Sequence, residues 1–200
     1  MSKASQEPRT FVYSINQDDI IVNYSRNFPS FARDNDWFSD VEPEAVNGHS
    51  IFEFISGWET RHLYEILFAH CRKGRYLGPI PFRCDSPSER RLLELHLQPL
   101  PDGHIDIMTR LVRTERRDPA PILRSDIPRS EKFIRICSMC KKIAVSDTEW
   151  VEIEEALTRL KIFEEERCPQ LTHGLCPSCY RVALSDLEGV KPSVRREQKR

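Results

Sequence analysis

Two Cys-x-x-Cys pairs, Cys137/Cys140 and Cys176/Cys179, constrain this chain more than any other feature. A gap of two residues lets one tight turn aim both sulfurs at a single point. Two such turns complete a tetrahedral four-cysteine site. The donor set selects Zn2+ first and iron second. Thioredoxin-like catalysis fits less well, because neither pair sits in a βαβ pattern, and c-type haem attachment needs His where Lys141 and Tyr180 stand. Four reduced thiols packed as small apolar groups and a thiol redox switch are the competing readings. Three further cysteines, Cys71, Cys84 and Cys168, lack matching spacing and read as structural thiols.

Charge and context around the pairs extend the argument. Four thiolates around a divalent cation leave a net charge of about -2, which Lys141, Lys142 and Arg181 stand close enough in sequence to offset. His173, three residues before Cys176, is a fifth candidate: a ligand replacing one Cys, or, the preferred reading, a hydrogen-bonding group that orients the turn. Between the pairs, Ser146 and Glu149 match a capping box, and Trp150, Ile153, Leu157 and Leu160 recur at helical spacing. A second helix is expected to open at Pro177 and end before Gly189, with Tyr180, Leu184 and Leu187 inward. The expected unit, 131–190, is thus small and mainly helical. A core of that size is marginal, and a structural zinc, worth roughly 10 to 16 kcal/mol in finger peptides, would decide whether it folds.

The preceding part of the chain has a different texture. Residues 1–10 are polar and expected to be disordered, after which Phe11–Ile15 and Ile20–Tyr24 read as a hairpin. Phe28, Phe31, Trp37 and Phe38 are scattered through a stretch expected to form short helical turns. Ser50 and Glu53 fit a capping box, and a longer helix is expected from about Glu59 to Arg72, with Leu63, Ile66, Leu67 and His70 on one face. Ile80–Cys84 reads as a short strand containing Pro81. Leu92–Gln98 and His104–Val112 then alternate apolar and polar residues on either side of Pro101-Asp102-Gly103, the pattern of an antiparallel hairpin with one buried face. From Arg113 to Ser130, three prolines and eight charged residues read as a stiffened linker.

Two strands, short helices, one longer helix and three strands, with Val46-Asn47-Gly48-His49-Ser50-Ile51-Phe52-Glu53-Phe54-Ile55 entering the helical part, resemble a PAS domain over Thr10 to Arg116. The resemblance implies a sensory fold of five antiparallel strands covered on one face by helices. From Ile136 to Leu187 the chain resembles a second pattern, a small module found beside PAS, GAF and receiver domains in bacterial signalling proteins. It is carried by Cys137, Cys140, Lys141, Lys142, Ile143, Asp147, Trp150, Glu154, Glu155, Thr172, His173, Gly174, Cys176, Pro177 and Cys179; the charged Lys161–Pro169 stretch departs from it. Together these imply an α+β signalling protein: PAS-like domain 11–112, linker 113–130, metal-binding module 131–190 and basic tail 191–200.

Three functions compete on this basis. The first is a non-enzymatic sensor or adaptor, its PAS-like domain detecting a ligand, redox state or partner and its zinc module docking to signalling proteins, with a homodimer through the PAS-like domain as one form. The second is a zinc-dependent transcriptional regulator. Residues 131–190 carry 8 basic and 11 acidic residues, so nucleic acid is disfavoured there, although the 191–200 tail has 5 basic residues against Glu197. The third is a thiol-based redox or metal sensor. Catalysis is not expected, since the seven glycines form no phosphate-binding loop and neither GxSxG nor HExxH occurs. His49, His62, His70 and Cys71 are the candidates for a PAS ligand, His70 being the best haem-ligand candidate. No apolar run approaches the roughly 18 residues of a membrane span, and the opening MSKASQEPRT lacks a signal-peptide core, so a cytoplasmic location is expected.

Overall fold

In a computed structural model, residues 10–29 and 45–185 are described. The expected N-terminal disorder (1–9), Phe31, Trp37, Phe38, Leu187 and the basic tail lie outside those residues. Strands β1 (Thr10–Ile15), β2 (Ile21–Tyr24), β3 (Leu77–Arg83), β4 (Glu89–Pro99) and β5 (Ile105–Arg116) form one antiparallel sheet in the order β2-β1-β5-β4-β3. Alternation sets its faces. Leu93, Leu95, Leu97, Ile105, Ile107 and Thr109 are buried, while Glu94, His96 and Arg110 lie on the opposite face.

Helix α1 (Trp58–Arg72) covers the apolar face with Thr60, Leu63, Leu67, Phe68 and Cys71. The expected stripe is thereby rotated: Phe68 and Cys71 turn inward, whereas Ile66 and His70 sit at its half-buried margin. Ser50 and Glu53 make the capping box, over a single 3-10 turn from Ile51 to Glu53. At the far end of α1, Arg72 reaches two turns at once. Its Nη2 donates to Asp19 Oδ1 at 2.6 Å and its Nε to the Gly103 carbonyl at 3.0 Å, so one guanidinium ties the helix to both hairpin turns.

The C-terminal part departs from the mainly helical expectation. It contains a second sheet of order β8-β7-β6-β9, built from β6 (Arg129–Cys137), β7 (Ile143–Ala144), β8 (Trp150–Val151) and β9 (Cys168–Gly174). Helices α2 (Ile153–Arg159) and α3 (Pro177–Ser185) complete it. The Ser146/Glu149 pattern caps no helix. Ser146 Oγ instead accepts from the Thr148 and Glu149 amides in the turn between β7 and β8, and the Glu149 carboxylate pairs with Arg159. Trp150 accordingly belongs to a strand, and the buried stripe of α2 is Ile153, Ala156 and Leu157. In α3 the inward residue is Ala183; Leu184 packs against the core and Tyr180 is exposed.

The Arg113–Ser130 segment is not a free linker. Its first residues finish β5, Ala120 and Ile122 are buried in the second core with Ile136, Ile143, Ile153 and Leu157, and its last two begin β6. Prolines suit this path because chain that belongs to neither sheet interior loses little when an N–H is removed.

The two units are docked. Asp85, with no exposed side-chain surface, lies between Arg83 and Arg117; Arg83 continues to Glu152 (2.7 Å), and Arg117 (3.0 Å) and Arg90 (2.6 Å) to Glu154. The three most enclosed of these charges, Arg83, Asp85 and Arg117, each meet an opposite one, the condition under which ions tolerate loss of water. Edge strand β3 is closed in the same region. The Arg83 amide points away from β4 and donates to the Met139 carbonyl; at the same-side position two residues earlier stands Pro81, which has no amide to offer.

Candidate metal centre

Strands β6 and β9 run parallel and adjacent, with Cys137 opposite Gly174. Both Cys-x-x-Cys turns therefore leave the same end of the same sheet. Cys137 closes β6 and Cys140 follows in the turn to β7; Cys176 and Cys179 lie at the start of α3, where Pro177 takes the first helical position. A parallel pair needs a crossover, and β7, β8 and α2 supply it. Thus the long interval between the pairs is the connection that makes their meeting geometrically available.

The sulfurs of Cys137, Cys140, Cys176 and Cys179 all lie within 4.8 Å of one another. Cys140 Sγ and Cys176 Sγ are 3.7 Å apart. Metal–sulfur bonds of about 2.3 Å at tetrahedral angles place sulfurs about 3.8 Å apart, so this separation is that of ligands sharing one ion. The four cysteines could hold a metal ion. His173 is outside the group: it lies in β9 opposite Ile136, three residues before Cys176. Burial, then the Lys141 charge, holds its imidazole below the usual pKa, favouring the neutral ring.

Backbone amides soften the accumulated charge. The Cys176 amide donates to Cys137 Sγ at 3.4 Å and the Cys179 amide to Cys176 Sγ at 3.4 Å. Lys141 has a left-handed backbone (φ 61°), and the Lys142 amide beyond it donates to Cys140. The expected offset by basic side chains is therefore met in part by amides, since Lys141 Nζ is engaged with the Ser138 carbonyl at 3.0 Å and Arg181 is exposed. Hydrogen bonds from the Cys140 and Cys179 thiols, with amides, push Cys137 strongly down, and that thiolate raises Cys140 to about 12 and Cys179 higher still. Metal entry then has to displace protons.

The centre is also part of the junction. Cys137, Met139 and Cys176 belong to the same apolar cluster as Leu63, Leu95 and Ile107 of the first unit. Thr60, in the first turn of α1, donates to Ser138 Oγ at 2.7 Å, and the Ser138 amide donates to the Gly174 carbonyl at 2.8 Å. Gly57, immediately before α1, has φ 86°, and a Cβ there would stand 2.6 Å from the His173 carbonyl oxygen. Only glycine permits this approach.

Among the sequence candidates, the four cysteines converge. His70 is half-buried at the margin of α1, while His49 and His62 are exposed-side partners of Glu53 (2.9 Å) and Glu65 (3.4 Å). Cys71 is buried in the first core, where loss of water pushes its thiol up to about 11; Cys168 packs against the second core. Sequence reasoning missed Thr60, Ser138 and the Asp85 ion network, because each acts on residues remote in the chain. Compared with protein-family models and with curated proteins, the chain has no match. Fold and site define it as a mixed α+β protein whose four-cysteine cluster could hold a metal ion and adjoins a five-stranded antiparallel sheet; among the described residues no helix is long and apolar enough to cross a membrane.

Proposed function

We propose that this protein is a non-enzymatic cytoplasmic sensor or adaptor in signal transduction, in which a PAS-like unit is joined to a zinc-stapled module that meets signalling partners. The observation that carries this reading is the position of the four-cysteine cluster against the first unit. Thr60 and Arg83, from α1 and β3, both contact the Cys137–Cys140 turn. A shift of either element on ligand binding changes the turn directly, which is the kind of two-state linkage a sensor requires. The five antiparallel strands with α1 against one face agree with what the PAS resemblance implies.

Zn2+ is the ion best matched to four thiolates at tetrahedral spacing. Bound, it would supply a fixed cross-link between the β6 and β9 ends. Cys137, Cys140, Cys176 and Cys179 would hold it, and the amides of Lys142, Cys176 and Cys179 would disperse its ligands' charge. The test is purification without a metal-affinity tag followed by elemental analysis and an absorption spectrum. One zinc per chain with no visible band is expected; a folded chain without metal overturns the reading, and a strong visible band reassigns the centre to iron or the first unit to a chromophore.

A further inference from the structure

The four cysteines are not equivalent. Cys137 and Cys176 are buried (0% and 3% exposed), but Cys140 and Cys179 are half-buried. Those two line a groove of about 210 Å3, whose walls include Ile80, Phe82, Leu92, Met139 and Val182. Leu92 (43%) and Val182 (51%) are among the most exposed aliphatic residues described. An apolar recess lined by two cysteines is selective in chemistry as well as shape. Its walls favour apolar molecules, and a thiolate is a soft nucleophile.

We propose that the groove admits apolar α,β-unsaturated carbonyl compounds, and that Cys140 and Cys179 are the residues they modify, opening the metal centre from one side. In the reaction a sulfur lone pair forms an S–C bond to the β-carbon, the C=C π pair moves to give the enolate, and water protonates it. The thioether formed is a poorer metal ligand than the thiolate, so an ion held by Cys137, Cys140, Cys176 and Cys179 would keep three thiolates and would be released more readily. The reaction rests on the proposed zinc centre, whose ion would hold Cys140 and Cys179 as thiolates; the groove supplies access to these two. The consequence for signalling is local, because Cys140 belongs to the turn whose Met139 carbonyl closes β3.

The experiment uses the full chain, its zinc content measured first. Two neutral maleimides with the same reactive ring are compared, N-cyclohexylmaleimide and N-(2-hydroxyethyl)maleimide, with adducts mapped by peptide mass spectrometry and zinc followed with a chromogenic chelator. The first adduct is expected on Cys140 or Cys179, with one zinc released per adduct. The cyclohexyl reagent is expected to react about 10-fold faster, as withdrawal of about 50 Å2 of apolar surface from water would give. Val182→Asp, at an exposed groove position, is expected to retain the zinc and lose the rate preference. First modification of Cys71, Cys84, Cys137, Cys168 or Cys176, equal rates for the two reagents, or an unchanged preference in Val182→Asp overturns the proposal. If the purified chain carries no zinc, the zinc reading fails and this proposal with it, whereas a zinc-bearing chain whose first adduct lies on another cysteine overturns the proposal alone.

Discussion

The two units hold their shape by different means. In the first, a sheet of long strands buries Leu93, Leu95, Leu97, Ile105 and Ile107 against Leu63, Leu67 and Phe68 of α1. In the second, β7 and β8 have two residues each, α2 has seven, and the buried side chains of its own core are mostly single isoleucines, alanines and leucines. The first unit is stabilised by apolar burial, which grows with the size of the core. The second has less to bury; beside its core it carries a four-cysteine cluster that could hold a metal ion at one end and an ion network along its face. Stability of the two should therefore respond to different perturbations.

Cys137→Ser tests this most severely. Structural zinc in small peptides is worth roughly 10 to 16 kcal/mol, so losing a buried ligand is expected to abolish metal retention and expose the amides of β6 and β9 to hydrogen exchange, with β4 and β5 still protected. Exchange of both sheets together would break the contrast and make the molecule one cooperative unit. Asp85→Ala comes next. It leaves Arg83 and Arg117 without the carboxylate between them, and removing one member of a buried ion set costs about 3–5 kcal/mol. Chemical denaturation should register that loss, whereas an effect near zero would place the network's worth in Glu152 and Glu154.

Gly57→Ala is expected to cost about 1–3 kcal/mol, from the positive φ and the contact with the His173 carbonyl. Because that contact joins α1 to β9, the variant should raise exchange at both sides of the junction while retaining its metal; an unaltered melting temperature would show that the units accommodate separation there. The smallest effect is that of acid. Burial raises the Glu154 pKa, but the Arg90 hydrogen bond and the Arg117 and Arg90 charges outweigh it and leave the carboxyl below its ordinary 4.5. Its contribution is consequently present above pH 4.5 and lost as pH falls through the lowered folded value. A Glu154→Gln variant should lose part of the protein's stability at neutral pH and show a shallower decline in this acid window; parallel pH profiles for the two proteins would remove Glu154 from the junction's energetics.

Much of the first unit is legible in sequence because its signals are local. Leu93/Leu95/Leu97 and Ile105/Ile107/Thr109 alternate on both sides of the Asp102-Gly103 turn, and this pattern gives the hairpin and its buried face without knowledge of neighbours. The helix from Glu59 to Arg72 is readable to within one residue, but its inward stripe is rotated because Phe68 and Cys71 find space over the sheet. The second unit is harder. Strand β6 contains Glu131, Lys132 and an exposed Phe133, so no clean alternation marks it, and β9 breaks into Pro169 and Gln170. Their parallel pairing depends on residues some forty positions apart.

By itself, then, the sequence determines the chelating geometry within each Cys-x-x-Cys turn and the antiparallel hairpins of the first sheet, since spacing of two to four residues is enough to specify both. Only the tertiary structure decides that the second unit contains a sheet, that Arg113–Ser130 is packed, that Thr60 and Arg83 reach the Cys137–Cys140 turn, and that Asp85 joins Arg83 to Arg117. The physical reason is range. Backbone torsions and side-chain periodicity act over a few residues, whereas the β6/β9 pairing and the docking of the two units are selected by burial and charge neutralisation between segments that are distant in the chain.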